Sequence, residues 1–306
     1  MPIFHCPMGA PYYEAENCIL CGLCLATTPD ERVEATKKIR EYLRTRPQKK
    51  GLSKKIAICG KGGVGKSTIV TLLAKAMAED GYRILVLDND ESNPGLIRMF
   101  GFEKEPRPLI TLLSRFSEQE PTPDAMWLKK DEISFEDIPS EYTLDVDNLK
   151  LMMAGKITDP LQGCACTMAD VTRTFMGKLL TKDKETVLID MEAGIESFGR
   201  GLERNVDTVL IIIEPSYESI ALAGKIEYMA DGIGVSKVRA ILNKISSEEV
   251  ERKILNELEK KEIMSIGTVH LDPRINEDNF EGKALSDSNA KEEIKKIIRR
   301  LLVESL

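Results

Sequence analysis

The sequence of 306 residues has no uninterrupted apolar run longer than Val209 to Ile213. Crossing a bilayer as a helix takes about 20 apolar residues, so an integral helical membrane protein is excluded. The start, MPIFHCPMGA, lacks a basic stretch followed by an apolar one. No secretory signal is therefore expected, and the cytoplasm is the default location. Positive charge is not in excess, since 43 Lys and Arg against 50 Asp and Glu leave a net charge of -7. That balance argues against a general nucleic-acid binder, and no nucleic-acid partner is expected. Internal repeats and low-complexity tracts are also missing.

Cysteine is present in number, and its placement is uneven. Of 7 cysteines, Cys6, Cys18, Cys21 and Cys24 crowd the start, Cys164 and Cys166 form an isolated C-x-C, and Cys59 stands alone. In a reducing compartment such clusters mean metal ligands rather than disulfides. Residues 1–46 read as a cysteine-rich module, with Val33, Ile39 and Leu43 lining one side of a short helix. Pro47, two lysines and Gly51 read as a linker over 47–54. From 55 to 306 strand-like and helix-like segments alternate, the pattern of a mainly parallel α/β sheet.

The segment KIAIC (55–59) reads as a buried strand, GKGGVGKS (60–67) satisfies G-x4-G-K-[ST], and a helix follows up to Gly81. Strand, P-loop and helix stand in the required order. Gly60, Gly62, Gly63, Val64, Gly65, Ser67 and Thr68 supply backbone N–H groups at a helix start, Lys66 a mobile cation, and Ser67 a magnesium ligand. Two later strands end in acids, RILVLDND at Asp88 and Asp90, and TVLID at Asp190. Asp88 and Asp190 are expected in the magnesium shell, because ligands bind outside the carboxyl ends of such strands.

Lys61, directly after the first glycine, gives GKGGVGKST, which resembles the deviant P-loop of the MinD, ParA and nitrogenase iron protein superfamily. The resemblance implies an α/β P-loop ATPase using ATP/ADP and magnesium. It implies that Lys61 reaches the nucleotide of a second subunit, that Asp90 in switch I positions the attacking water, and that Gly194 is the switch II hinge. Lys61, Lys66 and Asp90 then form the catalytic set. Asn243 is implied to contact adenine, and Pro273 to close over the base. Glu91 stands where the family more often has proline.

The run AGKITDPLQGCACTMADVTRTF, with DMEAGIESFGRG and IIIEPSYESI, resembles the CO dehydrogenase maturation ATPases, the CooC-type nickel chaperones. The match covers roughly residues 54 to 300, with Thr167 standing where proline is expected. It implies an ATP-hydrolysing dimeric metallochaperone that serves a nickel–iron–sulfur client enzyme. Chemically, Cys164 and Cys166 cannot complete a tetrahedral site alone, and a two-fold dimer supplies the missing pair. Four thiolates suit zinc, nickel or an iron–sulfur cluster. The helix-like segment after them would lower the thiol pKa values. Two core cysteines without metal are the bland alternative.

Cys18-x2-Cys21-x2-Cys24 has the three-ligand spacing of a [4Fe–4S] site, with Cys6 as the fourth ligand and His5 as its substitute. A zinc site on the same residues is the main competitor, and the C-x3-C-P continuation of bacterial ferredoxins is missing. Cys59 is expected in the core and His270 in a structural hydrogen bond. The last helix, with Ile294, Ile297, Ile298, Leu301 and Leu302 on one face, is expected to dock on the sheet rather than on a membrane. A capping box from Ser246 to Glu249 is expected to open an amphipathic helix. Two other functions stay open: an ATP-gated electron donor like nitrogenase iron protein, and a MinD-like positioning switch. The former's two cluster ligands lie far apart rather than as C-x-C, and the latter has no need of six clustered thiols.

Overall fold

The computed structural model describes residues 27–38 except 32 and 36, then 54–90, 95–112, 123–155, 165–195, 198, 205–235, 237–285 and 289–303. Cys6, Cys18, Cys21, Cys24, Cys164 and most of the expected linker lie outside the described residues. Residues 29–31, 33–35 and 37–38 are helical. Glu31 accepts from the N–H groups of Thr27 and Thr28, and Thr28 Oγ1 accepts from Glu31 N, so a capping box opens this helix. Of the expected stripe, Val33 is 56% exposed, while Ala35 beside it is buried; Ile39 and Leu43 lie outside the described residues.

Eight strands form one sheet: β1 (Lys55–Gly60), β2 (Arg83–Asn89), β3 (Leu144–Val146), β4 (Leu149–Met153), β5 (Glu185–Met191), β6 (Thr208–Ile213), β7 (Lys237–Ile245) and β8 (Ser265–His270). Their order is β3-β4-β2-β5-β1-β6-β7-β8. Every pairing is parallel except that of β3 with β4. Because both faces are covered, the strands read as near-continuous apolar runs. Along β1, Ile56 and Ile58 join one core cluster while Ala57 and Cys59 join the other, which is the period of two expected of a strand.

Beyond the amino-terminal helix over 29–38, the α-helices among the described residues are α1 (Lys66–Glu79), α2 (Gly95–Met99), α3 (Ala165–Lys178), α4 (Tyr217–Gly232), α5 (Glu248–Glu259), α6 (Pro273–Glu281) and α7 (Ala290–Val303). α1 and α7 contribute Ile69, Leu73, Met77, Ile294, Ile298 and Leu301 to one core cluster. α3, α4 and α5 contribute Val171, Phe175, Ala223, Ile226, Ile254 and Leu258 to the other. The expected docking of the last helix is observed, and it is close. A Cβ on Gly267 of β8 would stand 2.4 Å from Ile297 Cγ1. No helix among the described residues is long and apolar enough to cross a membrane.

One start differs from expectation. α5 is capped by Ser247, whose side chain accepts from Val250 N, and not by Ser246. The hydroxyl that meets the third N–H of the helix decides the cap, and Ser246 lies one residue too early.

With β1 in the middle, the chain crosses from β1 past β5 to β2 on one side and later pairs β6 on the other. Open α/β sheets bind ligands at such a reversal, at the carboxyl ends of the strands.

Candidate nucleotide site at the carboxyl rim of the sheet

β1 delivers its last residue, Gly60, to this rim, where the loop turns back into α1. Gly60, Gly63 and Gly65 have φ of 150°, 77° and 95°, conformations that favour glycine. At Gly60 a Cβ would also lie 2.7 Å from the Ile212 carbonyl oxygen, and at Gly65 one would lie 2.4 Å from Asn243 Nδ2. Backbone conformation favours glycine at all three positions, and space requires it at Gly60 and Gly65. Gly65 is the N-cap of α1 with no side-chain cap, which leaves the first N–H groups of the helix to a ligand. Lys66, Ser67 and Thr68 follow, each buried.

Asp88 and Asp190 are register partners on the adjacent strands β2 and β5. Both are buried, Asp190 completely. Neither carboxylate oxygen of Asp190 completes a hydrogen bond of good geometry. Burial first, and the charge of Asp88 second, push its pKa up to about 7, while Ser67 and Lys66 nearby offset part of that shift. Two buried carboxylates beside a serine and a lysine form a donor set of hard oxygens, which fits a magnesium ion and leaves these acids costly without one. Asp90 N–H donates to Asp88 Oδ1 at 3.2 Å, which places Asp90 beside the same rim. Residues 91–94, including Glu91, lie outside the described residues.

After β5, Gly194 takes φ of 99°, and its N–H donates to the Gly60 carbonyl at 3.2 Å. The expected hinge therefore touches the loop directly. Asn243 does not end β7, which runs to Ile245 with register irregularities. Its Nδ2 donates to the Val64 carbonyl at 2.8 Å, so the side chain braces the loop. Beside it a groove is lined by Gly65, Thr68, Asn243, His270, Asp272 and Asn276 among others. Pro273 occupies the first turn of α6, capped by Asp272, at the edge of this groove. His270 is held by Glu293, with Nδ1 to Oε1 at 2.6 Å, in the structural role expected. Cys59 is buried, also as expected.

Two charged residues here escape the motif reading. Lys244 Nζ donates to the Gly63 carbonyl at 2.6 Å and to Glu214 Oε2 at 3.0 Å, and Lys61 Nζ lies 3.5 Å from Glu214 Oε1. Burial pushes the Glu214 carboxyl up, but the ammonium groups of Lys244 and Lys61 outweigh it and hold the group below its ordinary value. Glu214 falls within the E-P-S triplet, the one sequence signal that singled out this position.

α3 runs down from the carboxyl rim and starts at Ala165, so Cys166 lies in its first turn. The helix was expected after the C-x-C pair. Among the described residues no three His, Cys, Asp or Glu side chains gather as a metal site, and the thiols of Cys6, Cys18, Cys21, Cys24, Cys164 and Cys166 all lie outside the described side chains.

Residues 55–285 match the CobQ/CobB/MinD/ParA nucleotide binding domain. An uncharacterized ATP-binding protein of Methanocaldococcus jannaschii is 43% identical over 69% of this chain and 86% of its own. The carbon monoxide dehydrogenase accessory protein CooC of Rhodospirillum rubrum is 37% identical over 63% of this chain and 75% of its own. Among solved structures, the MinD cell division protein of Aquifex aeolicus superposes with a TM-score of 0.60 at 20% identity, over 83% of this chain and 98% of that one. That likeness concerns the fold.

Proposed function

This chain belongs to the CobQ/CobB/MinD/ParA nucleotide-binding family and, within it, to the ATPases of the CooC type, and on that premise we propose that it drives the maturation of a nickel–iron–sulfur enzyme of the CO dehydrogenase or acetyl-CoA synthase class. The chain hydrolyses ATP, as its family does. The relationship to the CO dehydrogenase accessory protein, together with G-C-x-C at 163–166, carries the maturation role.

In this reading Lys66 faces the transferred phosphoryl group, and the loop N–H groups from Gly62 to Thr68 hold the phosphates. Ser67, Asp88 and Asp190 hold magnesium, which supplies charge neutralisation on the phosphate oxygens. Asp90 orients the attacking water, and Asn243 and Pro273 flank the adenine. Lys61 leaves Glu214 to reach the nucleotide of a second copy, so ATP assembles a homodimer. Cys164 and Cys166 of both copies then hold the cargo, nickel or zinc, between four thiolates. Cys6, Cys18, Cys21 and Cys24 fit a [4Fe–4S] cluster by donor type and spacing, and such a group supplies a one-electron redox centre.

The test is anaerobic metal analysis and sedimentation of the full chain and of a Cys164→Ser/Cys166→Ser variant. Expected are about four irons and four sulfides per chain and, beyond them, one nickel or zinc per two chains. The double variant should lose that ion and the metal-driven dimer while still binding ATP. One ion per chain in a monomer, retained by the double variant, contradicts the shared site. A cluster shared through Cys164 and Cys166 would instead favour the electron-donor reading.

A further inference from the structure

We propose that Lys244, steered by Glu214, is a positioning residue of the phosphate loop. Gly60, Gly63 and Gly65 all adopt positive φ and carry no side chains to brace the loop from within. Its shape is held from outside at two consecutive carbonyls. Asn243 Nδ2 holds that of Val64 at 2.8 Å, and Lys244 Nζ holds that of Gly63 at 2.6 Å. On the other side of the same peptide, Val64 N–H closes a turn onto the Lys61 carbonyl at 3.3 Å. The Gly63–Val64 peptide is thus fixed at both ends.

Successive side chains of a regular strand point to opposite faces, so Asn243 and Lys244 in an unbroken β7 would not grip the same loop. The strand breaks its register between Leu242 and Ile245, and Lys244 takes φ of 58°. That conformation is uncommon for a residue with a side chain, and here it turns the ammonium toward the loop. Glu214 fixes where the ammonium ends. Its backbone N–H donates to Ser219 Oγ, and Ser219 N–H donates to Ser216 Oγ at the start of α4, so the carboxylate rises from a secured turn. The side chains of Lys244 and Glu214 are 37% and 19% exposed, which separates this pair from a fully solvated one. Lys61 shares the same carboxylate, and the brace therefore also holds the unusual lysine of the loop at its mouth.

The inference concerns ATP binding alone and is independent of any client enzyme or metal. It is tested by titrating Mg-ATP into the full chain and by steady-state ATPase kinetics, with melting temperature as a folding control. Lys244→Met removes the ammonium and keeps the aliphatic stem. Lys244→Gly removes it too, yet suits the positive φ, so it separates the charge from the backbone. Both should bind Mg-ATP about tenfold more weakly, the value of one charge-assisted hydrogen bond. The loss should fall on KM and Kd rather than on kcat. Lys244→Arg should stay within about threefold of the parent, since guanidinium can serve both the carbonyl and the carboxylate. Glu214→Gln should weaken binding by about threefold, because the ammonium remains but is no longer steered. Folded Lys244→Met or Lys244→Gly protein that binds Mg-ATP as the parent does would overturn the proposal. So would Lys244→Arg binding as weakly as Lys244→Met.

Discussion

Strands β2, β5 and β1 lie side by side, and their two ends obey different rules. At the amino ends the buried and half-buried charges are partnered. Arg83 donates to both Glu136 and Glu185 at 2.7 Å, and Lys182 reaches Glu136 at 3.0 Å. Lys55 Nζ donates to the Met176 carbonyl, and Asp207 accepts from the N–H groups of Lys54 and Lys55. At the carboxyl ends of the same strands, Asp88 and Asp190 stand together in the interior, with both Asp190 oxygens lacking a partner of good geometry. The loop beside them has glycine at three positive-φ positions. One rim is built to be stable as it stands, and the other is built to be completed by a ligand. The two buried acids and the glycine-dependent loop make sense where phosphate and magnesium are expected to sit.

The largest effect expected from the carboxyl rim is on turnover. Lys66→Ala should cut ATP hydrolysis by about a thousandfold, on the order of 4 kcal/mol in the barrier. Turnover within tenfold of the parent would erase the distinction between the two rims. At the amino rim, Arg83→Met should do the reverse. Glu185, 2% exposed, would be left as a buried charge without its ion-pair partner, costing about 3 kcal/mol of stability by denaturant unfolding. The kcat of the folded fraction should not move.

A smaller effect with opposite signs in the two measurements is expected for Asp190→Asn. The folded carboxyl titrates at about 7 against an ordinary 3.8. A raised acid favours the folded state while protonated, and costs stability as pH rises from the ordinary value through the folded one. The magnesium-free, nucleotide-free variant should therefore be more stable than the parent at pH 8, by about 1 kcal/mol or more. The gain should vanish near pH 4, and magnesium-dependent hydrolysis should be lost. Equal stability of the two proteins at pH 8 would show that the buried acid carries no strain. The smallest effect belongs to Glu136, whose pKa is held down to about 2 by Arg83 first and Lys182 second. Its side chain is half exposed, so Glu136→Gln should cost less than about 1 kcal/mol. A lowered acid stabilises above its ordinary 4.5 and loses that contribution as pH falls through about 2. The difference between variant and parent should follow this course.

The parts of this contrast differ in how far sequence reveals them. The loop glycines, Lys66 and the acids at two strand ends follow from spacing and apolar runs, because a P-loop needs fixed residue types at fixed offsets. The sheet and the docked last helix follow from periodicity. Lys244 does not, since its role depends on a register break that β7 shares with β8 and that no residue type announces. Glu214 lies in a triplet that marks the family without stating what the carboxylate holds. The 3-10 turns between α2 and β3, which bring Phe135 under Arg83 with the guanidinium 5.7 Å from the ring, have too short a repeat to be read. The first serine of a Ser-Ser pair was expected to cap α5, and geometry chose the second.

One rim is proposed to serve both nucleotide and cargo, since α3, packed on the face opposite α1, begins at Ala165 after β4, at the same carboxyl rim as the phosphate loop. Sites that share a two-state element must be thermodynamically linked, and each ligand then changes the affinity of the other by the same factor. The most direct test is a zinc or nickel titration of the full chain, with Cys6, Cys18, Cys21 and Cys24 changed to serine, in the presence and absence of a non-hydrolysable ATP analogue. The account predicts one ion per two chains and an affinity that the analogue changes by at least about fivefold, both abolished by Cys164→Ser/Cys166→Ser. An affinity that is the same with and without the analogue would contradict it.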